Sequence, residues 1–185
     1  MDVMYGCKLL VISEIDPATG LIKAATPKVA RIETPQQMGV APQFSEGQRQ
    51  ELRGGDKLLA VVEDDPELIG IDLTFVDAEL NGEAMALIGG GTYTADTYTP
   101  PVIGAVKTPF VVAAYVAQYA EGSQNQSDIE GYVEFKFNYA KGRIPGFTAQ
   151  DRNFLVPQYT ISCRQNNKAS LGIFTWKKIA TLPAV

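Results

Sequence analysis

The sequence predicts a mainly β protein. We expect an antiparallel β-sandwich or barrel with one flanking α-helix at about 78–88 and a long extended arm at about 35–55. Three observations carry that expectation. Apolar residues recur with a two-residue period in several runs. Clusters of Gly, Pro, Asn and Asp punctuate those runs at short spacing. Only one stretch shows a helical period.

Residues 5–15 carry Leu9, Leu10, Val11 and Ile12 and stop at the turn cluster Asp16-Pro17-Ala18-Thr19-Gly20. A short return is expected at 21–25. Residues 28–34 set Val29, Arg31 and Glu33 against Ala30, Ile32 and Thr34, the pattern of a half-buried strand. The next twenty or so residues, 35–55, have no clear period and are rich in Gln, Gly and Pro. A loop of that length is uncommon in a compact domain, so it reads either as disorder or as an interaction arm. Residues 57–62 form an apolar run that ends in Glu63-Asp64-Asp65-Pro66. In 68–76, Ile69, Ile71, Leu73 and Phe75 alternate with Gly70, Asp72 and Thr74. Together 57–76 read as a hairpin.

The helix follows. Asp77 is the expected N-cap, with Glu79 in the first turn. Leu80, Ala84, Leu87 and Ile88 supply one apolar face. Gly82 weakens the interior by roughly 1 kcal/mol relative to Ala. Gly89-Gly90-Gly91 stops the helix. A Tyr/Thr/Pro-rich connection occupies 92–101, and 110–120 reads as a long strand buried on much of both faces. Strands are expected at 129–139, where Val133, Phe135, Phe137 and Tyr139 oppose Glu134, Lys136 and Asn138, and at 155–164 and 171–182. The total is about nine strands, with 1–185 as one domain.

Composition excludes most catalysis. His is absent from all 185 residues, which rules out Ser-His-Asp triads, Cys-His dyads and imidazole metal ligands. Cys7 and Cys163 are too few for a disulfide framework and read as small buried apolar residues. The net charge of -5 opposes a protein that grips nucleic acid by neutralising phosphates. Residues 1–100 hold 7 basic and 16 acidic side chains, or -9; residues 101–185 hold 9 basic and 5 acidic, or +4. That split reads either as a mixed solvated surface or as self-complementarity between stacked copies. Met1–Gly6 lacks the features of a signal peptide, and the longest apolar run, 110–117, is short of the roughly 20 residues that span a bilayer. The expectation is a soluble chain made in the cytoplasm.

Motifs for chemistry are nearly absent. Gly89-Gly90-Gly91-Thr92 lacks the phosphate-binding lysine and follows a helix instead of opening one, so it reads as a cap. Glu63, Asp64, Asp65 and Glu67 lack the spacing of a calcium loop. The Asn125–Ser127 sequon reads as coincidence.

One resemblance emerges. Leu52-Arg53-Gly54-Gly55-Asp56-Lys57-Leu58-Leu59-Ala60 is followed by Gly70-Ile71-Asp72-Leu73-Thr74-Phe75, then by the helix from Ala78 to Ile88 and its glycine stop. This stretch, 52–91, resembles the major tail tube proteins of long-tailed bacteriophages. The resemblance is close over about 40 residues and otherwise holds only in strand order. It implies a structural virion protein: six copies in a ring, and rings stacked into a hollow tail tube through which DNA passes without specific binding. It implies assembly in the host bacterial cytoplasm and no enzyme activity, catalytic residue, metal, cofactor or membrane. It further implies contacts with tape measure, tail terminator and distal tail or baseplate proteins. The arm would reach the neighbouring ring through Gln36, Gln37, Phe44, Glu46, Arg49, Glu51 and Arg53. An acidic lumen would repel DNA phosphates, and Glu134, Lys136 and Asn138 are its candidate face, although Lys136 breaks a uniformly negative wall.

Other classes compete with this reading. A ligand-binding β-sandwich, for carbohydrate or receptor, would use exposed aromatics such as Tyr93, Tyr98, Tyr115 and Tyr119. A carboxylate-only enzyme is the third class. The secreted tube of type VI systems is a cousin within the tube reading.

Overall fold

The structure is a computed structural model that describes residues 3–122, 128–148, 151–152 and 154–184. The sequon at Asn125 lies outside the described residues. The described residues form twelve strands and one helix: β1 (Val3–Glu14), β2 (Val29–Ile32), β3 (Pro35–Phe44), β4 (Arg49–Gly54), β5 (Lys57–Glu63), β6 (Leu68–Asp77), α1 (Gly82–Gly89), β7 (Thr92–Thr94), β8 (Thr97–Thr99), β9 (Phe110–Tyr119), β10 (Ile129–Gly142), β11 (Gln158–Cys163) and β12 (Phe174–Ile179). The fold is mainly β and antiparallel, a β-sandwich with a single flanking helix.

Eight strands make one sheet in the order β2-β1-β9-β10-β11-β6-β3, with β12 also paired to β10. β10 is long enough to hold two partners on one edge. β12 pairs along Tyr132–Phe137 and β11 along Ala140–Gly142. The sheet folds over, because strands far apart in that order share one core. Leu10 and Ile12 of β1, Val112 and Ala114 of β9, Ile71, Leu73 and Phe75 of β6, and Tyr159 and Ile161 of β11 are all buried in it. Phe75 and Tyr159 oppose each other across β6 and β11, and their rings stack 4.6 Å apart at 13°. Alternation puts these residues on one side of each strand and polar ones on the other.

α1 completes that core through Ala84, Met85 and Ile88. A Cβ at Gly142 would come within 2.3 Å of the Ile88 side chain, so the glycine lets the helix dock on β10. The helix begins later than expected. Asp77 is the buried last residue of β6, where its carboxylate accepts from Thr34 Oγ1 at 2.7 Å and from the Glu79 amide at 3.3 Å. Asn81 is the cap instead: its Oδ1 accepts from the Ala84 amide at 3.0 Å, and its Nδ2 donates to Arg31 O at 2.9 Å. Gly82 is thus the first helical residue and does not weaken the interior.

Three expectations about the first half change. The 35–55 stretch is extended, but it is paired: β3 runs antiparallel to β6, and β4 pairs with β5. Prolines and irregular patterning hid β3, because Pro35 and Pro42 are tolerated on a strand at the edge of a sheet. Residues 57–76 are not a hairpin. Both edges of β6 are taken, by β11 and β3, so β5 turns back onto β4. Residues 21–25 form no strand and contribute only an Ile15–Ile22 bridge. In the second half, 92–101 contains the small hairpin β7–β8.

β9 is buried on both faces, as its sequence predicts. On the outer side Leu9, Ala113 and Tyr115 form a second cluster, packed by Ile179 and Leu182. Arg31 holds the chain there by donating to Pro183 O and Ala184 O, both at 3.3 Å.

Burial pushes the Tyr159 phenol up to about 12, helped by the Asp77 charge, and lifts the Cys163 thiol to about 12, helped by Asp72. The unfolded groups ionise near 10 and 9. Above those values the unfolded chain releases protons that the folded chain retains, so stability falls as pH rises. Urea midpoints should therefore be highest below pH 9 and decline progressively toward pH 12. Cys163→Ala should flatten the part of the decline that begins near pH 9.

Candidate assembly surface

β4 and β5 form a ribbon that pairs with no third strand among the described residues. Its base is tied by Ser45 and Glu67: the Ser45 amide donates to Glu67 O at 2.8 Å, and the Glu67 amide donates to Ser45 Oγ at 3.1 Å. The Asp64 amide adds a bond to Gln48 O at 3.1 Å. Gly54 pairs with Lys57 across a two-residue turn, Gly55-Asp56, and Gly55 supplies its positive φ of 67°. Seven residues of β5 at about 3.3 Å each give a projection of roughly 20 Å.

The ribbon is amphipathic, and every residue of both strands is exposed. On one face Arg49, Glu51 and Arg53 make an ionic rail. Glu51 Oε1 lies 2.9 Å from Arg49 Nη2, and its Oε2 lies 2.8 Å from Arg53 Nη2. Register places Leu52, Ala60 and Val62 together on the other face. Leu52 and Val62 are each 62% exposed and Leu59 is 63%, with Leu58 and Val61 also exposed. An isolated two-stranded ribbon is marginal in water; Leu52, Leu59 and Val62 are bare on its apolar face, while Val61 and Leu58 oppose Glu51 and Arg53 on the rail side, so exposed aliphatics call for a cover on both faces.

The structure groups some expected contact residues and separates others. Phe44, Glu46, Arg49, Glu51 and Arg53 all lie at the base or along the ribbon. Phe44 is exposed and opposes Leu68, which with Ile69 makes an apolar collar. Gln36 and Gln37 are also exposed, but they lie at the other end of β3, beside Val76 and Asp77. Eight residues of strand put Gln36 about 26 Å from Phe44. The leucines and valines of β5 were missed as surface, because an unbroken apolar run reads as an interior strand. The Gly54-Gly55-Asp56 turn signal was the clue to a short hairpin.

The proposed lumen face is not wet in the subunit. Glu134 is 8% exposed and accepts from the Tyr115 hydroxyl at 2.8 Å, while Lys177 Nζ lies 2.9 Å away. Asn138 is 3% exposed and donates to Gly172 O at 3.0 Å. Lys136 is half-buried. These side chains share the outer face of β10 with the Tyr115 cluster, and the polar atoms of Glu134 and Asn138 are used internally. Burial, then the Glu134 hydrogen bond, raises the Tyr115 phenol, which keeps it a donor.

The four tyrosines of a binding platform do not converge. Tyr115 and Tyr119 are buried in β9. Tyr93 and Tyr98 face each other on the β7–β8 hairpin, where Tyr98 donates to Gly90 O at 2.8 Å. Among the described residues no group of three His, Cys, Asp or Glu is placed to hold a metal ion. No helix among them is long and apolar enough to cross a membrane. No protein-family model matches the chain, and no curated protein matches it.

Glu134→Lys tests the burial of β10. It puts a cation against Lys177 and strands the Tyr115 hydroxyl, so it should cost about 2–4 kcal/mol in urea unfolding. A variant as stable as the wild type means that this face is open to water.

Proposed function

We propose that this chain is the structural subunit of a bacteriophage tail tube. Copies form rings, for which the family resemblance implies sixfold symmetry, and the rings stack into a conduit for DNA. The observation that carries the reading is the β4–β5 ribbon, a free two-stranded projection with bare aliphatics on a well-packed body. A monomer gains nothing from it, whereas a self-stacking subunit uses it as the contact between rings. The stretch that resembles tail tube proteins, 52–91, runs from the ribbon tip through β6 to the glycine stop of α1. The division into a -9 and a +4 half suits head-to-tail contact between copies. In this reading the role is structural and not enzymatic, and the site of action is the virion tail. Partners beyond the chain itself are the tape measure, tail terminator and distal tail or baseplate proteins. The net negative charge lets DNA pass without adhering.

Negative-stain microscopy and sedimentation of purified protein should reveal rings or tubes. Replacing residues 48–64 with a short Gly-Ser linker between the tied ends should leave the melting temperature within about 4 °C of wild type. Stacking should be lost. A wild-type chain that stays monomeric at high concentration overturns the reading.

A further inference from the structure

We propose that the cavity between α1 and the 100–109 loop receives the ribbon tip of a second copy of this chain. The inference rests on the self-assembly reading and names the surface that the ribbon meets. The cavity encloses about 710 Å³. Ala86 and Leu87 of α1 wall one side, Val102 and Val106 the other, and Lys28 and Lys107 add positive charge. The loop is bracketed by Pro100-Pro101 and Pro109, and its turn is held by the Ala105 amide on Val102 O at 3.1 Å. Its apolar tip is bare: Val102 is 80% exposed and Val106 95%. An apolar rim beside an apolar cavity is a surface that gains from being covered.

The chain path fixes which copy can fill it. The ribbon leaves β6 at Leu68, whereas α1 follows the other end, after Asp77. Ten residues of strand separate those ends by about 30 Å. Ribbon and cavity therefore serve opposite ends of the subunit, and the contact joins unlike surfaces of two molecules. Such a heterologous contact propagates instead of closing on a pair.

The chemistries match. The tip presents Asp56 and Lys57 at its point, with Leu58, Leu59 and Leu52 behind. The Lys28 ammonium is exposed and has no partner among the described residues. Lys107 Nζ donates to Gly142 O at 3.1 Å. Two carboxylates also line the cavity. Glu14 lies 3.9 Å from Lys23, and Glu83 is in the first turn of α1. In the docked pair Asp56 meets Lys28, Lys57 meets Glu83, and the leucines cover Leu87, Val102 and Val106. Opposite charges at the point set the register, and the leucines supply the burial.

Asp56→Cys and Lys28→Cys are made in separate preparations, mixed, and treated with a bismaleimide. Both positions are exposed, so the fold is kept. The native thiols compete poorly: Cys163 is buried, and burial lifts half-buried Cys7 to about 11. A cross-linked dimer is expected in the mixture and not in either preparation alone. In parallel, Asp56→Lys should weaken assembly about tenfold or more, and Lys28→Asp in the same chain should restore it. If the wild type assembles but the mixture gives no cross-link and the swap restores nothing, the cavity is not the receptacle and self-assembly stands. If the wild type never assembles, both readings fall.

Discussion

The fold depends on β9. Every position from Phe110 to Tyr119 except Val116 is buried, so this strand cannot be placed at an edge or left with a wet face. β1 and β10 must flank it to satisfy its backbone, and they do so along most of its length. Its inward side chains then demand a second layer, which β6 and β11 provide. Its outward side chains demand a cover as well, which the end of β12 and the chain after it provide through Ile179 and Leu182. One doubly buried strand thus dictates the fold-over of the sheet and the path of the chain beyond β12.

That same constraint explains why the polar side of β10 is not a lumen wall in the isolated subunit. Glu134 and Asn138 flank the buried outer cluster, and each has internal partners. Alternation along 129–139 correctly separated the two faces. It could not tell a solvated polar face from one covered by residues more than thirty positions later. The Glu134–Lys177 pair shows the difference, because its members oppose each other in the β10–β12 register. A tube built from this subunit must therefore find its inner surface elsewhere or shift β12.

Elements whose own packing imposes a period were legible: β6, β9, β10 and β11 were each found near their true bounds. The helix is legible but begins four residues later than its sequence signals, because Asp77 ties the end of a strand to Thr34 and Asn81 caps the helix. β3 was illegible. An edge strand with one packed face tolerates Pro35, Pro42 and Gly39, and these residues erase the two-residue period. Pairing was beyond the sequence altogether, since β1 meets β9 about a hundred residues away and tertiary packing alone sets that register. At the candidate site the sequence makes the charged rail legible but not the exposed apolar side, because exposed and buried aliphatic strands share one composition.

In the proposed assembly the ribbon reconciles folding with self-contact. An apolar run such as Leu58 to Val62 would ordinarily join the core, but β6 offers it no free edge, so it remains outside. A free ribbon is also a hazard, since its unpaired edges invite indiscriminate pairing. The rail of Arg49, Glu51 and Arg53 answers part of that hazard. Such exposed ion pairs add only about 0–1 kcal/mol of stability each. In the proposed assembly their effect is on partner choice: a charged face and a charged tip are poorly covered by random apolar surface, and they fit only a site that answers both signs. In the proposed assembly, selectivity thus comes from the charges of the ribbon, and the driving force from its aliphatics.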